Sequence, residues 1–199
     1  MSILPAASAR TAFDPLDGRF FAQSSRPGGW TDINPAGLPP LMRVLLVVDG
    51  TVTKILEAYF GEVIEVRRIG QSVEALEDAD EWLEAERGEE IVMRAVMLVG
   101  RDTGRIYTYA ESRIMLSRLS TRMQEGLGDQ LIGLGRILLD AALEVRRECL
   151  WYGRERLAAL PEEMRGRCDN EFVSRSYRVI ACGRPLMMIT ERFPLDLGD

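Results

Sequence analysis

The chain contains no histidine. That excludes Ser-His and Cys-His nucleophilic pairs and histidine-ligated metals within it. Acid–base chemistry therefore falls to Asp, Glu, Lys, Tyr or Cys. Cysteine is scarce: Cys149, Cys168 and Cys182 are the three present. They are odd in number and widely spaced, so neither a disulfide framework nor a cysteine zinc site is indicated. Small buried thiols in a reducing compartment are the expectation. No apolar run is long enough to span a bilayer, and the N-terminus lacks a basic segment followed by a long apolar one. We expect a cytoplasmic protein without a membrane partner. A basic excess is also missing. The net charge is −6, which argues against nucleic-acid binding through a generic basic surface.

What is present is ordinary for a soluble globular chain. The 199 residues suffice for one domain with a sizeable core. The charge is unevenly spread, because Glu74 to Glu90 holds nine acidic residues and one basic one, Arg87. Residues 1–38 are rich in Ala, Ser, Pro and Gly, with the run Ser24-Ser25-Arg26-Pro27-Gly28-Gly29. They read as a loosely structured arm with at most a short helix near Phe20-Phe21. Residues 39–199 read as a single domain.

Leu41–Val48 is apolar and fits either a strand or the end of a helix. Asp49-Gly50-Thr51 starts a helix through Phe60, with Val52, Ile55, Leu56 and Tyr59 at helical spacing. Gly61 ends it, and a strand follows over Glu62–Ile69. Ser72 is expected to cap a helix to Arg87, its acidic side a solvated face. Ile91–Val99 and Arg105–Glu111 form a hairpin about Gly100-Arg101-Asp102-Thr103-Gly104. From Asp129 to Arg156 the pattern predicts a long helix. Leu131, Leu134, Leu138, Ala142, Val145 and Cys149 form one stripe of it; Arg136, Asp140, Glu144 and Arg147 form another, more simply a solvated face than a ligand site.

The C-terminal stretch Tyr177–Pro194 carries two apolar runs around Gly183-Arg184-Pro185, a turn signal. In the second run, alternation sets Met187, Ile189, Glu191 and Phe193 on one face. A carboxylate among three apolar neighbours is costly to ionise unless paired. Arg94, on a face with Val92, Val96 and Leu98, is its basic counterpart. On pattern alone the two also fit a buried structural ion pair. Hairpins with helices between them argue an α+β fold, with helices flanking a central, mainly antiparallel sheet.

Five stretches in order resemble the chorismate pyruvate-lyase family, its divergent bacterial and archaeal branch above all. They are Asp49-Gly50-Thr51-Val52-Thr53-Lys54, Met93-Arg94, and Tyr109-Ala110. Then come Leu134-Gly135-Arg136-Ile137-Leu138 with Leu143-Glu144 and Arg147-Glu148, and finally Gly183-Arg184-Pro185 through Thr190-Glu191 and Phe193-Pro194. The resemblance spans roughly residues 40–194. It implies a chorismate lyase-like α+β fold with a closed pocket, and conversion of chorismate, or a close analogue of it, to 4-hydroxybenzoate and pyruvate without metal or cofactor. It implies that Arg94 binds the ring carboxylate and that Glu191 is the general acid at the leaving enolpyruvyl group. Val52 and Leu134 match apolar pocket positions. Enterobacterial members carry a second arginine where Ser112 stands here. Arg136 and Arg147 are then candidates for the substrate's second carboxylate, as Arg113 would be if it faced inward. The run from Pro185 to Glu191 is one residue longer than in the enterobacterial form. Such a change swaps strand faces unless a bulge absorbs it. The fold is also similar to effector-binding domains of transcription regulators, so a non-catalytic module that binds an aromatic acid is the alternative.

Overall fold

The computed structural model describes residues 14–128 and 133–198. Six strands form one sheet in the order β1-β2-β3-β6-β5-β4, every neighbouring pair antiparallel. The strands are β1 (Ile64–Ala75), β2 (Glu90–Gly100), β3 (Ile106–Met115), β4 (Val145–Arg156), β5 (Glu171–Ala181) and β6 (Arg184–Pro194). Four helices, α1 (Pro40–Val47), α2 (Val52–Phe60), α3 (Thr121–Gly128) and α4 (Leu134–Asp140), accompany them. The α+β expectation is met.

Two apolar clusters lie between the helices and one face of the sheet. The first joins Leu41, Met42, Leu45 and Leu46 of α1 and Val52 and Leu56 of α2 to Leu98, Val173 and Phe193. The second joins Met123 and Leu127 of α3 and Ile137 and Leu138 of α4 to Val92, Ile114, Tyr177 and Ile189. Loops cover the opposite face, with Leu83 and Ala85 on one half and Met164 on the other. The ambiguous run after Pro39 is thus helical: Pro40 opens α1, where a missing N–H costs nothing, and one side of the helix is buried. Gly61 ends α2 in the left-handed conformation at φ 69°, as its position suggested.

Two expected helices are strands or loops. No helix follows Ser72. β1 continues through Ala75, paired with β2 from Ile64↔Gly100 to Ala75↔Glu90. Residues 76–89 form a loop closed by the Asp80↔Ala85 bridge, with the Asp80 carboxylate accepting from the Trp82 and Leu83 amides at 2.9 and 3.0 Å. The acidic run explains the failure: on a helix Glu74/Asp78, Glu77/Glu81 and Asp80/Glu84 would be like-charge pairs one turn apart. The long helix over Asp129–Arg156 is replaced by α4 and β4; Asp129 and Leu131 lie outside the described residues. Ala142, at φ 49°, leaves the helical region and ends α4. The misreading has a simple cause: Val145 and Cys149 are four apart, a spacing that helix and strand periods share.

Residues 14–38 have little regular structure but are tied to the outer edge of β4. The Phe21 and Ala22 amides donate to the Cys149 and Leu150 carbonyls at 3.2 and 3.0 Å, and Thr31 exchanges two backbone hydrogen bonds with Arg154. The arm thereby covers what would be an open sheet edge. The β5–β6 turn is centred on Cys182 and Gly183, φ 50° and 77°, one residue earlier than Gly183-Arg184-Pro185 suggested. Two left-handed central residues match the twist of a tight hairpin. Just beyond the turn, Val179 pairs with Met187 and Ile180 with Pro185, leaving Leu186 as a bulge. That bulge takes up an odd residue and keeps Glu191 on the helix-covered face.

Candidate active site

A pocket lies between the two helix-covered clusters. Strand register builds its floor. One row across β2, β3, β6 and β5 reads Arg94, Ser112, Ile189, Tyr177; the next reads Val96, Ala110, Glu191, Arg175. Of these, all but Arg175 line the pocket, together with Leu98, Thr108, Val179 and, from β4, Arg147. Gly50 to Thr53 at the start of α2, and Leu134, Gly135 and Leu138 of α4, close over it. α4 can approach because it is small at the right place. A Cβ on Gly135 would stand 3.3 Å from the Thr51 hydroxyl oxygen, and one on Gly133 3.3 Å from a Val66 methyl.

Glu191 is held from two sides. Its Oε2 accepts from Nε of Arg175 at 2.8 Å and lies 2.8 Å from Nη2 as an ion-pair contact, and its Oε1 accepts from the Tyr177 hydroxyl at 3.2 Å. The Arg175 side chain is 1% exposed. Its Nη1 donates to the Leu46 and Val48 carbonyls at 3.1 and 2.8 Å, at the end of α1. Burial pulls the Arg175 pKa down, but Glu191 and Tyr177 outweigh it and the net direction is up. Burial first, and then the Glu191 charge, push the Tyr177 phenol above its ordinary value. Sequence reasoning overlooked Arg175, although the signal existed: Val173, Arg175, Tyr177 and Val179 alternate as Val92, Arg94, Val96 and Leu98 do.

Arg94 is 2% exposed and its Nη1 donates to Gln71 Oε1 at 3.1 Å and to the Leu127 carbonyl at 3.2 Å. Arg147 reaches the same pocket from β4, with its guanidinium 6.0 Å from the centre of the Tyr177 ring and Nη1 3.8 Å from the Asp49 carboxylate. Arg94 and Arg147 thus sit on strands four spacings apart, ~19 Å on a flat sheet. Of the residues singled out from the sequence, Val52, Arg94, Ser112, Leu134, Arg147 and Glu191 all line this pocket. Arg136 does not: its side chain is 71% exposed and pairs with Asp140 at 2.8 Å. Arg113 points to the opposite face and pairs with Asp80. Among the described residues no group of three or more Cys, Asp or Glu is placed to hold a metal ion.

The family model described as chorismate pyruvate-lyase Rv2949c-like matches residues 46–199. A curated chorismate pyruvate-lyase of Mycobacterium leprae is 28% identical over 154 residues, covering 76% of this chain and 73% of that protein. One of Mycobacterium tuberculosis is 26% identical over 159 residues, covering 76% and 78%. Among solved structures, PhnF from Mycobacterium smegmatis superposes with a TM-score of 0.61 at 12% identity, covering 77% of this chain and 67% of that one. Its effector domain alone gives a TM-score of 0.58 at 13% identity, covering 74% and 90%. At such identities the likeness concerns the fold.

Proposed function

Because the chain belongs to the Rv2949c-like chorismate pyruvate-lyase family, we propose that its pocket eliminates pyruvate from chorismate and leaves 4-hydroxybenzoate. The observation that carries this is the joining of Arg94, Arg147 and Glu191 in one largely apolar pocket. The substrate has two carboxylates, and an arginine fork binds a carboxylate through two parallel hydrogen bonds. Arg94, the more deeply buried cation, takes the ring carboxylate. Arg147 takes that of the enolpyruvyl group, in preference to the exposed Arg136. Val52, Leu134 and Ile189 exclude water, and Ser112 sits in the row between Arg94 and Ile189.

The elimination balances without an outside reagent. The ring C3–O bond breaks, the ring C4 hydrogen leaves as a proton, and the enolpyruvyl group gains a proton to become pyruvate. Glu191 is the general acid toward the leaving group. It is the ion-pair partner of Arg175, so the proton it delivers is first drawn from C4. One carboxylate then serves as base and as acid, and aromatisation of the ring drives the step. Turnover is the test. Incubation with chorismate should release pyruvate and 4-hydroxybenzoate in equal amounts, and Glu191→Gln should lower the rate by ~10²–10⁴-fold with the product still bound. Tight binding of chorismate with neither product released would instead favour a non-catalytic binding module.

A further inference from the structure

The buried Arg175 is not spent on the substrate. It does not line the pocket, and its donors go to Glu191 and to the Leu46 and Val48 carbonyls. We infer that Arg175, assisted by Tyr177, is a positioning residue that sets the angle of the Glu191 carboxylate and ties it to the segment at the pocket's mouth. The inference rests on the reading that Glu191 acts in turnover.

Three observations support it. Arg175 and Glu191 are directly cross-strand partners, so the side chains leave the sheet side by side. The guanidinium holds a single oxygen, Oε2, through one hydrogen bond from Nε and the ion-pair contact of Nη2, while the Tyr177 hydroxyl donates to Oε1. Both oxygens thus have a partner from the protein, which leaves the carboxylate little freedom to rotate. The third arm of Arg175 holds the last carbonyls of α1, immediately before Gly50 to Thr53, which close the pocket. A buried pair of this kind contributes little net stability beside well-packed apolar groups, so its value lies in orientation. The Tyr177 ring lies 5.2 Å from the Arg175 guanidinium and 6.0 Å from that of Arg147, so it touches both the residue that holds the acid group and the carboxylate-binding arginine. Displacement of a reacting group by about 1 Å costs up to ~10²-fold in rate.

The experiment compares Arg175→Lys, Tyr177→Phe, Glu191→Gln and the double variants Arg175→Lys/Glu191→Gln and Tyr177→Phe/Glu191→Gln. Lysine restores a positive charge but cannot reach Glu191 and two carbonyls together. We expect Arg175→Lys to lower kcat by ~10–100-fold, with KM and 4-hydroxybenzoate affinity unchanged. Its double variant should be no slower than Glu191→Gln alone, because the arginine acts through that carboxylate. Tyr177→Phe removes one oxygen atom and should show the same split more weakly; it decides the matter if Arg175→Lys does not fold. Full kcat in folded Arg175→Lys, or rate losses that multiply in the double variant, overturns the inference. Full turnover in Glu191→Gln would overturn the role of Glu191 instead.

Discussion

Arg94→Ala isolates the recognition of one carboxylate. The side chain is 2% exposed, and two of the groups it binds keep other partners when it is lost. Gln71 is exposed and can turn its amide to water, and the Leu127 carbonyl keeps the Arg68 guanidinium at 3.3 Å. The fold should therefore survive. The ligand loses charge-assisted hydrogen bonds worth ~1.5–3 kcal/mol each. Allowing for one or two of them, binding weakens by ~2–4 kcal/mol, or ~30–1,000-fold in Kd. Calorimetry with 4-hydroxybenzoate and with phenol, which lacks the carboxylate, separates charge recognition from packing. The wild type should favour 4-hydroxybenzoate strongly, and Arg94→Ala should bind the two alike. Arg94→Lys should recover part of the difference, as a point charge without the planar fork. An Arg94→Ala protein with an unchanged melting curve and a wild-type Kd for 4-hydroxybenzoate would refute the assignment.

Other outcomes follow from the same geometry. Arg147→Ala should raise KM for chorismate while leaving 4-hydroxybenzoate affinity nearly intact, since the product has lost the second carboxylate; Arg136→Ala should change neither, its exposed pair with Asp140 being worth ~0.5 kcal/mol at most. Gly153→Ala should loosen the arm, because the new Cβ would sit 2.8 Å from the Thr31 carbonyl oxygen. Losing the two Thr31–Arg154 hydrogen bonds should cost ~1–3 kcal/mol in urea unfolding, with faster proteolysis within residues 14–38; unchanged curves would show that the arm does not depend on this contact. Thiol labelling at pH 8 should modify the exposed Cys182 first and Cys149 only on unfolding. Burial pushes the Cys149 thiol pKa up, Arg175 opposing it, so less of it is thiolate at a given pH than of an unperturbed cysteine.

Much of the site was legible because strand alternation is a local property. A period of two set Arg94 among Val92, Val96 and Leu98, and Glu191 among Ile189 and Phe193; the structure keeps each set on one face of the sheet. The same rule would have found Arg175 on β5. Arg147 was recognised as a residue but assigned to a helix, because the spacings of four around it, such as Val145 to Cys149, do not separate a helix from a strand. Ser72–Arg87 failed for a related reason. Val73, Leu76 and Leu83 fit a helix, while β2 offered β1 a full ladder of backbone partners, and the like charges made the helix the worse choice.

By itself, then, the chain determined the β2–β3 and β5–β6 hairpins and which side chains share a face of those strands, since each depends on neighbours a few residues away. Only the tertiary structure decided who meets whom across the sheet. The Leu186 bulge and the Cys182–Gly183 turn set the register that puts Arg175 opposite Glu191. The docking of α1 supplies the Leu46 and Val48 carbonyls that hold the arginine, and strand order separates Arg94 from Arg147 by four spacings. Contacts between residues far apart in sequence are chosen by the packing of the whole, where a one-residue slip would turn every side chain of a strand to its other face.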